Sequence, residues 1–413
     1  MVGAEMPMSS DQVIWTEQNR LHIAYDGCTI AGNTSITVPL EAGKECAIRK
    51  GATIVVSSGL TTIKARVEQV TTNNANVCTV TVATYKVANM AAIANATDAK
   101  VFVYGSEFGK GTGGMEADAA ASGVVALQPD FTQFSNKPII IKDYYEVNGS
   151  DTAQIGWVEV ATEAGQSGFL WYLKAESETR LRFEDYLEMA MVEAEKKGGG
   201  GVSLEGSEGL FAAIEARGNV YNDFAGAAAP GAGALGDFDE ILKQLDKQGA
   251  IEENMLFLSR ATALDFDDML AAVNGAYAST QAASYGLFEN DGDMALNFGF
   301  SGFRRGSYDF YKTDWKYLND ITLRGSDNEI DGVMIPAGTT TVYDQMLGSN
   351  IRRPFLHVRY RASETEDRKM KSWITGSVGG AFTSDLDTMR VNFLSERCLV
   401  VQAANNFVLF KGA

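Results

Sequence analysis

The hydrophobic pattern of the first hundred residues consists of short apolar runs that are typical of β-strands. From about Ile36 to Gly105 the chain is dense in Thr, Val, Ile and Ala, and turn pairs such as Ser58-Gly59 separate the runs. The predicted strands are Ala52–Ser57, Thr62–Val70, Val77–Ala83 and Lys100–Tyr104. Short strands rich in β-branched residues at this spacing predict a small β-barrel or sandwich over residues 36–105.

The segments on either side of this predicted β-domain have weaker patterns. Residues 1–35 contain one strand candidate, Arg20–Tyr25, so we expect an extended N-terminal arm. Residues 106–168 begin with a stretch of low complexity in which first glycines and then alanines predominate, which predicts a flexible connector.

Two apolar runs around Asn148-Gly149 predict a long β-hairpin after the connector. Pro138–Val147 leads into the turn and Ala153–Val160 leads out of it. Asn-Gly suits a type I′ turn, whose twist matches that of the flanking strands. We expect the hairpin tip, Asn148–Thr152, to contact a neighbouring molecule and not its own core.

The longest helical pattern runs from Phe169 to Lys197 without Pro or Gly and ends at a run of four glycines. An unbroken helix of this length would extend roughly 40 Å. On its polar face we expect the ion pairs Glu176–Arg180 and Glu178–Arg182. Apolar residues three and four apart predict one buried stripe, formed by Leu170, Leu173, Leu181, Tyr186, Leu187, Ala190, Met191 and Ala194.

The remainder of the chain mixes helix and strand patterns, which indicates an α+β fold. Helices are predicted at Asp237–Lys247, with Asp237 as the N-cap, and at Leu264–Tyr277. Strands are predicted at Ile251–Ser259, within Gly299–Asp320, and at Met334–Pro336 and Phe355–Tyr360. An antiparallel C-terminal sheet is predicted from Lys371–Thr375, Arg390–Leu394, Cys398–Gln402 and Phe407–Phe410.

Composition and charge narrow the classes of function. The 413 residues carry 53 acidic and 35 basic side chains, a formal net charge of -18, which repels phosphate backbones and argues against tight nucleic-acid binding. The four cysteines contain no C-x-x-C pair, which indicates reduced thiols. We expect neither a signal peptide nor a membrane span, because no apolar stretch approaches about 20 residues.

Catalytic and metal-binding patterns are weak throughout. The only two histidines, His22 and His357, lie far apart, so we expect packed or surface residues and no zinc site or nucleophile–histidine pair. Gly105–Thr112 lacks the spacing of a phosphate-binding loop, and the acidic turn Glu289–Asp293 lacks that of a calcium loop. We therefore predict no enzyme activity, no catalytic residues, no cofactor and no metal.

The remaining charged groups are explained by surface roles. Arg352-Arg353 and Arg359-Tyr360-Arg361 form a small basic patch, which we expect to pair with acidic surfaces of this chain or of another copy. Paired carboxylates are frequent (Asp237/Asp239, Asp265/Asp267/Asp268, Asp385/Asp387), so no single pair stands out as an acid–base site.

The order of these patterns resembles the major capsid proteins of tailed double-stranded DNA phages. The resemblance is carried by Phe134-Ser135-Asn136-Lys137-Pro138-Ile139-Ile140-Ile141 through Val147-Asn148-Gly149-Ser150-Asp151-Thr152-Ala153, by the charged helix Lys174–Lys197, and by the closing run Glu396–Phe410. The first two resemble the extended loop and the spine helix of those proteins. The closest resemblance is to the group with a small β-domain inserted ahead of the loop.

This resemblance implies the Hong Kong 97-like capsid fold. The expected parts are an N-terminal arm (1–35), an inserted β-domain (36–105), a linker with the extended hairpin loop (106–168), a peripheral domain (169–200 and 371–413) and an axial domain (201–370). The arm and the loop would reach over neighbouring subunits.

The function implied is structural: many copies would form pentamers and hexamers of an icosahedral shell around packaged DNA. The implied partners are the chain itself, scaffold, portal and decoration proteins, with weak contact to DNA and none with a membrane. Assembly is expected in the host bacterial cytoplasm, and the product is the virion. The sequence leaves open a surface adhesin or glycan-binding fibre, an enzyme with an unfamiliar carboxylate site, and a cellular nanocompartment shell.

Overall fold

The computed structural model describes residues 4–18, 21–40, 44, 46–73, 76–93, 97–111, 131–153, 160–161, 167–168, 171–198, 201, 203–222, 224, 236–249, 251–267, 302–325, 329–344, 349–380 and 382–412. The chain divides into two compact units. Unit 1 comprises Met1–Trp15 and Phe134–Ala413, and unit 2 comprises Thr16–Gln133.

The described secondary structure is mixed and rich in strands, with few helices, as an α+β class predicts. The strands are β1 Glu5–Met8, β2 Val13–Gln18, β3 Ala24–Ala31, β4 Ser35–Pro39, β5 Ala52–Ser58, β6 Thr61–Asn73, β7 Val77–Thr84, β8 Ala99–Ser106, β9 Phe131–Asn136, β10 Ile139–Asn148, β11 Val160–Ala161, β12 Ser167–Gly168, β13 Asn219–Asn222, β14 Glu253–Leu258, β15 Gly302–Arg305, β16 Tyr308–Asp314, β17 Ile330–Pro336, β18 Thr339–Asp344, β19 Ser349–Pro354, β20 Leu356–Arg361, β21 Lys371–Gly376, β22 Thr388–Val401 and β23 Val408–Lys411. The helices are α1 Gly149–Thr152, α2 Trp171–Glu193, α3 Leu210–Arg217, α4 Gly236–Gln248 and α5 Lys316–Asn319, with helical residues also at 260–267 and 3-10 turns at Met90–Ala92 and Ala404–Asn406.

Unit 2 contains a closed six-stranded barrel in the order β3-β4-β7-β6-β5-β8. Alternate β-branched side chains point inwards, so Ile36, Val38, Ile54, Val56 and Val80 lie in its core almost without solvent exposure. The four strands predicted between Ala52 and Tyr104 all form, each within a few residues of its predicted ends. The barrel begins earlier than predicted, because β3 starts at Ala24 within the region assigned to an arm.

The first residues of the chain also form more structure than an arm. Strand β1 pairs in parallel with β20, with Glu5 opposite Val358 and Met8 opposite Arg361. The Glu5 carboxylate forms salt bridges with Lys369 and with Arg397, whose guanidinium is nearly buried. Because these contacts lie within the same chain, the prediction of an arm that reaches a neighbour is wrong for β1.

Unit 1 is built on two larger sheets. In one, β22 is paired on one side with β10 and on the other with β20 and then β21, and β1 extends the sheet beyond β20. The other has the order β13-β23-β17-β14-β16-β15. Thus β22 and β23 enter different sheets, and the prediction of a single C-terminal sheet is wrong. The predicted strands Arg390–Leu394 and Cys398–Gln402 are instead one continuous strand, β22.

Helix α2 packs on the first sheet through residues spaced four apart. Thr179, Phe183, Leu187 and Met191 are buried, and the Phe183 ring stacks on Phe393 of β22 at 5.8 Å. The predicted stripe correctly contains Leu187 and Met191 but wrongly contains Leu181 and Tyr186, which are exposed. The side chains of Leu170 and Leu173 lie outside the described residues.

The ion pairs of α2 also differ from the prediction. Lys174 pairs with Glu178 at 3.6 Å and Arg180 with Glu184 at 3.2 Å, whereas Arg182 reaches Asp143 on β10 at 3.6 Å. The helix is therefore linked to the sheet at its polar edge, which adds to the apolar contact of Phe183.

The Asn148-Gly149 segment differs from the predicted hairpin turn. Asn148 ends β10, and Gly149–Thr152 forms the helical turn α1. Strand β10 pairs with β22 over its whole length, from Ile139 opposite Arg397 to Asn148 opposite Thr388. Most of the predicted return strand, residues 154–159, lies outside the described residues.

The predicted helix and strands of the region 201–370 are largely present. Helix α4 and strand β14 match Asp237–Lys247 and Ile251–Ser259 within two residues. The side chain of Asp237, the predicted N-cap, lies outside the described residues. The second predicted helix starts earlier, at residue 260, and its part beyond residue 267 lies outside the described residues.

Candidate interaction surface

The residues that the sequence singled out for chemistry are separated in the structure. His22 is exposed in unit 2, whereas His357 is buried in β20 of unit 1. The Nδ1 of His357 lies 2.9 Å from the Pro354 carbonyl, and burial lowers the pKa of His357 to about 4. His357 is therefore a neutral, packed residue, as predicted for a core histidine.

In the part of the chain that the structure describes, no group of three or more His, Cys, Asp or Glu side chains could hold a metal ion. Among the described helices, none is both long and apolar enough to cross a membrane. All four cysteines are buried as free thiols.

The glycine-rich and acidic segments do not form a described site. Gly105 belongs to strand β8 and is not followed by a helix in the described part, so it lacks the strand–loop–helix context of a phosphate-binding loop. Residues 112–130 and the acidic turn Glu289–Asp293 lie outside the described residues.

The predicted basic patch is in part paired within the chain. Arg361 forms a 2.6 Å salt bridge with Asp11, as expected for pairing with an acidic surface. Arg359 is more than half buried, and desolvation by burial lowers its pKa. Its Nε has no hydrogen-bond partner among the described atoms. Arg361 therefore joins the start of the chain to β20, whereas Arg359 lies near a second cation, Arg353.

Among the described residues, an exposed surface with aromatic side chains lies on the first sheet of unit 1, on the face opposite α2. Neighbouring strands place Tyr144, Asn392 and Trp373 in one row, and both rings are exposed. In the next row Arg390 donates from Nε to Glu146 at 2.9 Å, and its guanidinium lies 4.7 Å from the Tyr144 ring centroid. This arrangement holds two aromatic rings on a stiff, partly charged face.

The loop between β21 and β22, residues 377–387, extends this face and carries its most exposed apolar groups. Phe382 is 86% exposed and Leu386 is 60% exposed. Two hydrogen bonds link described parts of this loop: Gly376 N–H donates to Thr383 Oγ1 at 2.9 Å, and the Ser377 hydroxyl donates to the Leu386 carbonyl at 2.6 Å. We call Tyr144, Trp373, Phe382 and Leu386 the apolar surface.

The helical turn α1 is next to this loop. The Gly149 N–H donates to the Asp387 carbonyl at 3.0 Å, and Asn148 is paired with Thr388. The expectation that the tip Asn148–Thr152 contacts only a neighbouring molecule is therefore wrong in part: the tip is supported by its own chain. Both turns lie at the same end of the sheet.

An ordered patch of this type can bury area against a partner but offers no group for catalysis. Large exposed side chains on a rigid support lose little conformational entropy on binding, which is a property of interface anchor residues. Sequence reasoning missed Phe382 and Leu386 because they lie between two strands, in a segment without periodicity. Neighbouring glycines at Gly379 and Gly380 were the one available signal for an ordered turn.

The comparisons with known proteins match this chain by structure alone. No protein-family model matches the sequence, and no curated protein matches it significantly. A structure from Microbacterium phage Oxtober96 is 10% identical with a TM-score of 0.37, over 99% of this chain and 88% of that chain. "Capsid structure of the Cyanophage P-SCSP1u" is 8% identical with a TM-score of 0.37, over 75% and 80%.

A third structure matches with a similar sequence identity, TM-score and coverage. "Asymmetric unit of bacteriophage PhiM1 mature capsid" is 8% identical with a TM-score of 0.38, over 75% of this chain and 79% of that chain. This chain is thus similar to structures from phages. Two of these three structures are of phage capsids.

Proposed function

We propose that this chain is a structural capsid subunit, which assembles with copies of itself into the head shell of a tailed phage around packaged DNA. The observation that carries the proposal is the apolar surface, with Phe382 and Leu386 held out into solvent by an ordered loop. Burying either side chain against another copy would contribute about 1.5–3 kcal/mol. Repeated over a lattice, individually weak contacts produce a stable assembly.

The finer architecture is also a proposal. Helix α2 corresponds to the spine helix of a Hong Kong 97-like fold, and β10 with α1 to the base of its extended loop. The peripheral domain comprises 169–200 and 371–413, and the axial domain comprises 201–370. The barrel is the inserted β-domain, with its start moved to Ala24. The pairing of β20 with β22 joins the peripheral and axial parts through one sheet.

The electrostatics support a shell and not a nucleic-acid binder. A net charge of -18 leaves only weak, non-specific contact with enclosed DNA. In this proposal the subunits form pentamers and hexamers, the role is structural without catalysis, and scaffold, portal and decoration proteins act as further partners. Assembly takes place in the host cytoplasm, and the mature location is the virion.

The test is a comparison of assembly between the parent chain and Phe382→Asp/Leu386→Asp. The proteins are expressed alone and with their genomic neighbours, then studied by size exclusion and negative-stain imaging. We expect shells or capsomer rings from the parent and dispersed subunits from the double variant, because two carboxylates would be desolvated in the contact.

The control is Leu60→Asp, which places one such carboxylate at a fully exposed residue in the turn between β5 and β6 of the barrel. It should assemble like the parent. Normal shells from the double variant would remove the role assigned to the apolar surface. A parent chain that stays monomeric or fibrous in both conditions would contradict the capsid proposal itself. The function would then be that of a binding module.

A further inference from the structure

The outer wall of the barrel contains a groove that the capsid function does not use. Its volume is about 860 Å³, within the usual range for small-ligand sites. Strands β5, β6 and β8 and the segment after β7 form it, and all of its residues belong to unit 2. The residues that line it include Thr53, Lys64, Tyr85, Lys86, Tyr104 and Glu107.

Two tyrosines line this groove, and each is about half exposed: Tyr85 is 49% and Tyr104 is 50% exposed. The Tyr85 hydroxyl donates to the Glu107 carboxylate, which raises the pKa of Tyr85 to about 12. The Tyr85 N–H also donates to the Lys64 carbonyl at 3.2 Å. The hydroxyl bond restrains the Tyr85 ring, about half of whose residue surface remains exposed.

The floor of the groove contains one polar side chain, Thr53, among mainly apolar lining. Thr53 is nearly buried there, opposite Gly105, which has no side chain to fill the space. A Cβ at Gly105 would lie 3.3 Å from Thr53 Oγ1, so any larger residue would narrow the floor. The Thr53 hydroxyl can both donate and accept a hydrogen bond.

The lining of the groove has two lysines, Lys64 and Lys86, against one carboxylate, Glu107, in a chain that is strongly negative. Neither Lys64 nor Lys86 forms a salt bridge with a carboxylate in the described part of the chain. The Lys64 ammonium lies 5.9 Å from the Tyr104 ring centroid, so a cation and an aromatic face are presented together. An anionic group would gain charge-assisted hydrogen bonds at this position.

We propose that this groove binds an acidic saccharide, with sugar rings on Tyr85 and Tyr104 and a carboxylate beside Lys64 and Lys86. The apolar face of a sugar ring matches an exposed aromatic ring, and its hydroxyls match short polar groups such as Thr53 and Glu107. The barrel then acts as a glycan-binding module, independently of how the rest of the chain assembles.

Two other anionic occupants fit the groove less well. A peptide cannot add as a strand, because the barrel is closed and every strand is paired on both sides. Single-stranded nucleic acid also stacks on aromatic rings, but it requires a basic groove that follows several phosphates. Two lysines in a groove of this size are sufficient for one carboxylate and not for such a path.

The test applies the full chain to printed acidic and neutral oligosaccharides, with tetragalacturonate and its methyl ester as the defined pair in solution. We expect binding of acidic glycans and of tetragalacturonate, and at least about tenfold weaker binding of the ester, because it has lost its charge. Lys64→Gln/Lys86→Gln and Tyr104→Ala should each weaken tetragalacturonate binding by a similar factor.

Two controls remove the same groups elsewhere in unit 2. Lys100→Gln removes an exposed lysine of β8 that pairs with Asp26, and Phe131→Ala removes an exposed ring on β9. Both should bind like the parent, and circular dichroism checks that each variant is folded. The proposal is overturned if no acidic glycan binds, if the ester binds equally, or if the groove variants bind like the parent. It is also overturned if oligothymidylate or a glutamate-rich peptide binds at these residues and saccharides do not.

Discussion

The Asn136 side chain donates from Nδ2 to the Leu399 carbonyl at 2.7 Å, which joins the end of β9 to a strand 263 residues later. The same amide donates to the Glu208 carbonyl at 2.9 Å, and its Oδ1 accepts from the Glu208 N–H at 2.9 Å. Asn136 is only 1% exposed, so all of these bonds are shielded from water. One amide therefore links three separate segments of unit 1 by hydrogen bonds: the end of β9, the segment at Glu208, and β22.

We predict that Asn136→Ala lowers the stability of unit 1 by about 3 kcal/mol, because it leaves several buried backbone groups without partners. Urea unfolding followed by tryptophan fluorescence measures this loss. All five tryptophans belong to unit 1, so the signal does not report on the barrel. Lys137→Ala at the neighbouring, exposed residue should change stability by less than about 0.5 kcal/mol. Equal effects of the two substitutions would contradict the role of the amide.

The contact between Phe183 and Phe393 predicts a second stability effect. Phe183 is fully buried between α2 and the first sheet, so Phe183→Ala should cost about 3–5 kcal/mol through lost burial and a cavity. Urea unfolding followed by tryptophan fluorescence also measures this loss of stability. Leu181→Ala, on the exposed side of the same helix, is the control and should cost much less. A larger loss for Leu181 than for Phe183 would mean that the helix faces the sheet differently.

His357 predicts a dependence on pH. Burial lowers its pKa from 6.5 to about 4, so between these values the unfolded chain binds a proton that the folded chain does not. The contribution of the neutral His357 to the free energy of unfolding is therefore fully present above pH 6.5. It is lost as the pH falls towards 4, by about 3 kcal/mol in total. His357→Gln should lose less stability than the parent between pH 7.5 and pH 4.5. Parallel losses in the two proteins would exclude this contribution.

The loop that carries Phe382 depends on Gly376. This residue has φ +127, and a Cβ there would lie 1.9 Å from the Thr388 carbonyl oxygen, which is backbone and cannot move aside easily. We predict that Gly376→Ala displaces the loop and reduces assembly while the barrel stays folded. Particle yield by size exclusion measures this effect. Gly236→Ala is the matched control, because nothing lies within 4 Å of its Cβ position. Unchanged assembly in both variants would mean that the loop conformation is not required.

The barrel and helix α2 could be predicted because their patterns are local. In β7 the apolar residues Cys78, Val80 and Val82 alternate with Thr79 and Thr81, and the structure buries the apolar set. In contrast, the placement of β22 and β23 in different sheets depends on partners far away in sequence, such as β10 and β13. No local pattern distinguishes those partners.

The buried face of α2 and the apolar surface were less accessible to prediction than the barrel. Phe183 lies between the charged residues Arg182 and Glu184, and its role becomes visible only once the sheet beneath it is known. Leu181 and Tyr186 have helical spacing but face solvent, because the sheet covers only a narrow stripe. Exposed apolar residues in a loop, such as Phe382, have the same sequence signature as buried ones.

The points where the chain leaves unit 1 and returns to it are adjacent. Trp15 and Phe134 have ring centroids 6.1 Å apart, and the Arg217 guanidinium lies 4.6 Å from the Phe134 ring. The strands that contain these two residues, β2 and β9, pair with each other. A segment whose two ends are so close can be shortened, exchanged or omitted while the rest of the fold keeps its closure. A foreign domain grafted between the same two strands would therefore leave the strand pairings of both large sheets in place.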